Sequence, residues 1–175
     1  MNSKLNNIQL SLSDLLGVDY MKSVCKTKAF LTGESIMDLQ KIADNKVSFY
    51  PDKFAAHQDT LVDSIGRQVI DVDIKTAYGA GTSAFQDACK NDMAPLGGSG
   101  FIRVGENGKA YLISKSEHYH ASVGHHFPGY QLIEYAKKCG ICNVTHNNTR
   151  GHITRLVEEE LVRVANGIKP KDRSS

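Results

Sequence analysis

The sequence predicts an α+β fold: a mostly helical first half, then a small antiparallel β-hairpin or sheet followed by two helices. Three observations carry that reading. Apolar residues up to about position 90 recur at helical spacing with short breaks, and a Gly105-Glu106-Asn107-Gly108 turn stands between two β-prone segments. Ile153, Leu156, Val157, Leu161 and Val164 then form one apolar stripe along a terminal helix.

Ser13-Asp14 ahead of Leu15 and Leu16 starts a short helix, which Gly17 disturbs. Thr32 is read as the N-cap of a segment carrying Ile36, Met37, Leu39 and Ile42, since a hydroxyl there accepts an orphan amide of the first turn; Asp44-Asn45 ends it. Pro51 has its ring angle preset for a helix start, and Phe54, Leu61, Val62 and Ile65 follow at near-helical spacing up to Gly66. From Gln68 to Ile74 the pattern alternates, Val69, Asp71 and Asp73 against Ile70, Val72 and Ile74, which predicts a short strand or an amphipathic extension. Ser83 caps a further helical turn bearing Phe85, Ala88 and Cys89. Nothing in residues 1–94 has a catalytic spacing, so this helical N-terminal region is read as structural or interface-forming.

At Pro95 the texture changes. Gly97-Gly98-Ser99-Gly100 is read as a flexible link, and Phe101 to Val104 and Lys109 to Ile113 as strands of a β-hairpin, because both residues of Asn107-Gly108 tolerate positive φ. Pro128 begins a helix with Leu132, Ile133 and Ala136 inside and Lys137-Lys138 before Gly140 at its end. Thr149 is the expected cap of the last helix, whose Arg155, Glu158, Glu159 and Arg163 face water and which Asn166-Gly167 closes. Residues 95–167 thus form a second region, and the polar tail from residue 168 to Ser175 is read as a linker cut short. There is no internal repeat.

A chain of 175 residues supports one domain with a real core, burying on the order of 70% of its unfolded surface. The formal net charge is +2, with 21 basic and 19 acidic residues spread along the chain, which argues against a nucleic-acid partner. No apolar run is long enough for a membrane span. Four cysteines, Cys25, Cys89, Cys139 and Cys142, with no charged-then-apolar leader before them, predict reduced thiols and a cytoplasmic location. The sequons at Asn143 and Asn147 carry no meaning without a secretory route.

The segment from Ser116 to Pro128 holds four of the seven histidines and a tyrosine, groups suited to orienting a substrate or passing protons near neutral pH. Its plain alternative is a polar turn after a hairpin, although Gly124 and Pro128-Gly129 indicate a constrained backbone. Cys139 and Cys142 are spaced C-x-x-C, with His146 and His152 following, a ligand set that suits tetrahedral zinc; the second pair follows too soon for a usual finger, which favours two small, partly buried thiols. Thr145 to His152 offers Arg150 and amide side chains to a carboxylate or phosphate, but such a run more often caps and solvates a helix start. The glycine-rich piece at 97–100 fits no phosphate-loop pattern, since no Gly-Lys-Ser/Thr follows it.

Taken in order, Pro95 to Gly167 resembles the N-terminal segment of class III, fold-type I, pyridoxal-phosphate-dependent aminotransferases, the group that includes acetylornithine and ornithine aminotransferases and glutamate-1-semialdehyde aminomutase. After the Pro and Gly-Gly lead-in, Phe101 to Ile113 looks like the family's strand, turn and strand ahead of G-x-x-Y-x-D. Ser116 to Val123 takes the place of its small-residue loop, and Gly124-His125-His126-Phe127-Pro128 corresponds to its G-H-x-H-P. Two departures stand out: Phe127 replaces the second histidine, and Ser114-Lys115 replaces the aspartate after the second strand.

The resemblance implies a dimeric enzyme that moves an amino group between an amino donor and a keto acid. In the family, the loop before the G-H-x-H-P motif lines the substrate entrance and helps build the dimer interface, so Ser116, His118, Tyr119 and His120 are the candidate substrate contacts, Tyr119 first among them. The phosphate-cradling loop, the aspartate for the pyridine nitrogen and the Schiff-base lysine follow this segment in the family, and no residue here maps to any of them. The expectation is an N-terminal part of such a protein, a truncated gene product or fragment. It would be inactive alone and completed by a missing C-terminal portion or a homodimer partner. The alternatives are a non-catalytic protein-interaction module and a small zinc module on Cys139, Cys142, His146 and His152.

Overall fold

The computed structural model describes residues 7–74, 81–88, 91–112, 123–141 and 150–168. In chain order the elements are β1 (Gln9–Leu10), α1 (Leu12–Leu16), α2 (Val18–Thr32), α3 (Ile36–Asp44), β2 (Val47–Ser48), α4 (Asp52–Val62), α5 (Ser83–Ala88), β3 (Pro95–Ser99), β4 (Ile102–Gly105), β5 (Ala110–Leu112), α6 (Gln131–Lys138) and α7 (His152–Ala165). Single 3-10 turns occupy Asn91–Met93 and Pro128–Tyr130. β1 pairs with β2, and β3-β4-β5 form a three-stranded sheet, so the α+β class and the hairpin expected from the sequence are both present. Among the described residues no helix is long and apolar enough to cross a membrane.

The chain divides into two compact units. One is helical and discontinuous, Gln9–Val47 with Gln131–Ser175; the other, Met1–Ile8 with Ser48–Tyr130, holds the three-stranded sheet.

In the helical unit, Ser11 rather than Ser13-Asp14 starts α1. Its hydroxyl accepts a bond from the Asp14 amide at 3.1 Å, and the Asp14 carboxylate accepts the Ser11 amide at 2.9 Å, a reciprocal capping box that leaves the cap residue buried. Those bonds hold the Asp14 carboxyl below its ordinary value, the Ser11 backbone bond first and its hydroxyl second. Gly17, with φ +89, ends α1 and at once begins α2, a helix the sequence pattern did not announce. Thr32 is the last residue of α2, its hydroxyl bonded back to the Lys28 carbonyl at 2.8 Å; the N-cap of α3 is Ser35, which accepts from the Asp38 amide. The unit's core is Leu12, Met21, Cys25, Leu39, Ala43 and Val47 from its first stretch and Leu132, Ala136 and Cys139 from its second. Gly151 holds the N-cap position of α7, Thr149 lying outside the described residues, and α7 buries none of its side chains.

In the sheet unit, Gly97-Gly98-Ser99 is no flexible link. It is the body of β3, paired antiparallel with β4 in the register Gly97 to Val104, Gly98 to Arg103 and Ser99 to Ile102. β5 completes the hairpin, with Arg103 opposite Tyr111 and Val104 opposite Ala110. In its turn the Gly108 amide returns to the Gly105 carbonyl at 2.8 Å and the Gly105 amide to the Lys109 carbonyl at 3.0 Å, and Gly108 alone takes positive φ. This is a type I turn closed by a glycine bulge, so Asn107 serves through its side chain, which accepts the Lys109 amide, rather than through a left-handed backbone. The alternating stretch from Gln68 forms no regular strand. Instead Gly66 and Arg67 exchange bonds with Ala110, and the Val69 amide is bonded to the Gly108 carbonyl, lashing the segment to the edge of the hairpin.

Ser11→Ala is expected to lower the unfolding free energy by about 1 kcal/mol in a urea titration near neutral pH, the usual loss on removing an N-cap hydroxyl. Because the folded state depresses the Asp14 carboxyl, its stabilisation is complete above the unfolded value near 3.8 and is lost as pH falls below it, so acidification should narrow the gap between the two proteins.

Candidate functional site

The residues with most chemistry in the described part of the chain gather where β3 meets the Gly124–Pro128 run. Gly100 and His125 exchange two backbone hydrogen bonds of 2.7 Å each, amide to carbonyl in both directions, forming an isolated antiparallel bridge. The approach is so close that only glycines fit: a Cβ on Gly124, whose φ is +91, would stand 2.7 Å from the Gly100 carbonyl, and one on Gly98 would stand 2.6 Å from the His125 ring. The glycines flanking Ser99 and the glycine before the two histidines therefore answer one steric demand from both sides.

His126 follows with a left-handed backbone, φ +52, uncommon for a residue with a side chain. That turn directs its ring back across β3, where Nδ1 is bonded to the Gly98 carbonyl. A carbonyl only accepts, so Nδ1 carries the proton, and in the neutral ring the exposed Nε2 is left as the acceptor. The geometry equips His126 to take a proton or a hydrogen bond from a ligand arriving over the glycine strand. Behind the bridge, Gln58 on α4 donates from Nε2 to the Ser99 hydroxyl at 2.8 Å and braces β3.

Phe127 points the other way and is buried, with ring centroids 5.6 Å from Phe49, 5.2 Å from Tyr50 and 5.4 Å from Tyr130, two of the three contacts edge-on. The Tyr130 hydroxyl accepts the Val123 amide at 3.3 Å, which closes the loop over the cluster. Phe127 is thus an aromatic anchor, at a position where an imidazole would set a polar nitrogen against three rings.

Of the residues proposed from sequence, Ser116, His118, Tyr119 and His120 lie outside the described residues, as do Cys142 and His146. Cys139 and His152 are described, and each has another partner. Cys139 is fully buried beside Cys25, while His152 stacks on Tyr20 at 4.4 Å and bonds through Nε2 to the Leu16 carbonyl. Arg150, with φ +49, grips Glu158 through Nε and a terminal nitrogen, so the carboxylate it meets is its own chain's. Gln58, Tyr130 and Cys25 were not singled out in the sequence, since none belongs to a local motif and each acts across the fold.

Among the described residues, Lys22, Lys28, Lys41, Lys46 and Lys137 are paired with the surface carboxylates of Asp19, Glu34, Asp38, Asp14 and Glu134. A cavity of about 130 Å³ lies between α1, α2 and α3.

Two substitutions test this geometry. Gly124→Ala should destabilise the protein by about 2 kcal/mol or more, through backbone strain and the clash at Gly100, whereas Gly97→Ala, with open space at its Cβ, should stay within about 1 kcal/mol of the parent in the same urea titration. Phe127→His should cost about 2 kcal/mol, and more at pH 5 than at pH 8, because burial opposes the charged imidazole and stability is lost as pH falls through its depressed pKa.

Comparison with protein-family models, with curated proteins and with solved structures finds no match to this chain.

Proposed function

We propose that residues 95–167 are the N-terminal segment of a class III, fold-type I aminotransferase-like protein, supplying a wall of the substrate entrance and part of a dimer surface, and that this chain does not transfer amino groups by itself. The observation that supports the reading is the double bridge between Gly100 and His125. The resemblance rests on a Gly-Gly lead-in, a hairpin with an Asn-Gly turn and a Gly-His-x-x-Pro run, and the bridge makes these one packed object. The reading puts the exposed Nε2 of His126 on the substrate side, with Ser116, His118, Tyr119 and His120 as further contacts to an amino donor or keto acid.

A second reading, a non-catalytic interaction module, is favoured by α7, whose Val157, Leu161 and Val164 are exposed along one stripe. Sedimentation and calorimetry separate the two. A monomer with a single cooperative transition favours the module, while self-association through apolar surface favours the aminotransferase segment.

The purified chain, given pyridoxal phosphate and a panel of amino donors and keto acids, is expected to leave the cofactor's spectrum that of the free aldehyde and to form no new amino acid; turnover would overturn the claim of inactivity. Sequencing the coding region and its neighbours is expected to find a phosphate-binding loop and a Schiff-base lysine downstream. Their absence in every frame would remove the family assignment.

A further inference from the structure

The helical unit holds a pair of thiols that plays no part in the site above. Cys25, on α2, and Cys139, immediately after α6, are both fully buried. The two thiols are close enough to shift each other's ionisation, and Cys139 Sγ donates to the Leu39 carbonyl of α3 at 3.7 Å. One turn on from Cys25, a Cβ built on Gly140 would stand 3.3 Å from the Cβ of Lys28, so the residue that follows Cys139 packs directly against α2. Cys139 thus lies against α2, in the other sequence stretch of this unit.

We propose that Cys25 and Cys139 are an oxidisable pair, which a small dialkyl disulfide such as oxidised glutathione converts into an internal disulfide tying α2 to the end of α6. One cysteine, as thiolate, attacks a sulfur of the small disulfide; a mixed disulfide forms and one small thiolate leaves. The second cysteine loses its proton and attacks the protein-side sulfur of that mixed disulfide. The Cys25–Cys139 bond forms and a second small thiolate leaves. Two electrons pass from the protein thiols to the small disulfide, and the two protons end on the two small thiols released. Burial raises both thiols, Cys139 to about 11 with the neighbouring Cys25 sulfur adding to the effect, so exchange is slow, waits on local opening and quickens with rising pH.

The consequence is mechanical. The unit is built from two stretches far apart in sequence, and Cys25 lies in one and Cys139 in the other. The bond would link them covalently and shrink the freedom of the unfolded chain across a long loop.

The test uses the full chain, incubated with oxidised glutathione at pH 8.5, quenched with acid, alkylated and mapped by mass spectrometry before and after reduction. The expected result is a peptide pair joined through Cys25 and Cys139, two hydrogens lighter than the reduced form, with a melting temperature raised by roughly 5 °C or more and returned by dithiothreitol. Cys25→Ala should abolish both. If that variant does not fold, the double variant Cys89→Ser, Cys142→Ser decides the matter, because it keeps only the facing pair and should still form the link. A bond from Cys139 to Cys142, glutathione adducts without an internal link, or four thiols still free after prolonged exposure would each overturn the proposal.

Discussion

The Gly100–His125 bridge is the contact on which the sheet unit depends. Two short hydrogen bonds between backbone groups contribute little beyond water in themselves, of order 1 kcal/mol each. Their effect is geometric: they bring a loop within van der Waals contact of a strand, which demands glycine on both faces, forces His126 into a left-handed turn and thereby throws Phe127 into the aromatic cluster. Ile102, Ala110 and Phe127 are the buried apolar side chains of this unit among the described residues, so one third of that small core is delivered by the bridge.

What was legible in the sequence is what is local. The hairpin showed itself because a turn is decided by adjacent residues, and α7 because its apolar spacing is regular over several turns. Helix α2 did not, because it buries only Met21 and Cys25, and the hydroxyls of Ser23, Thr27 and Thr32 are folded back onto carbonyls one turn earlier, which makes a helix look like a polar stretch. Composition alone made Gly97 to Gly100 a flexible link. The ladder that orders it comes from β4, and the close packing from His125, neither visible in the glycines themselves. The closeness of Cys25 to Cys139 was hidden for the same reason: it joins residues far apart in sequence and on different elements.

The distribution of apolar surface differs between elements in a way that bears on what the chain is for. The helical unit seals Leu39, Ala43, Leu132 and Ala136, yet leaves Phe30, Leu31 and Met37 outside, and α7 turns Val157, Leu161, Val162 and Val164 to solvent. In the sheet unit Phe101, Leu112, Val69 and Ile70 are exposed. Isolated exposed apolar residues are ordinary, but a whole helix face is a surface shaped for burial. Both functional readings rest on that surface finding a cover.

The helical unit is discontinuous, and this has a temporal side. Helices α1, α2 and α3 leave the ribosome long before α6 exists, and the whole of residues 48–130 must be made in between. At about 5–20 residues per second that is an interval of roughly ten seconds. Through it, Met21, Cys25, Leu39 and Ala43 lack the partners that later cover them, so the nascent chain offers an apolar surface to chaperones before it can close its own core. The order of synthesis, as much as the strength of the contacts, then decides how much of the product reaches the native state.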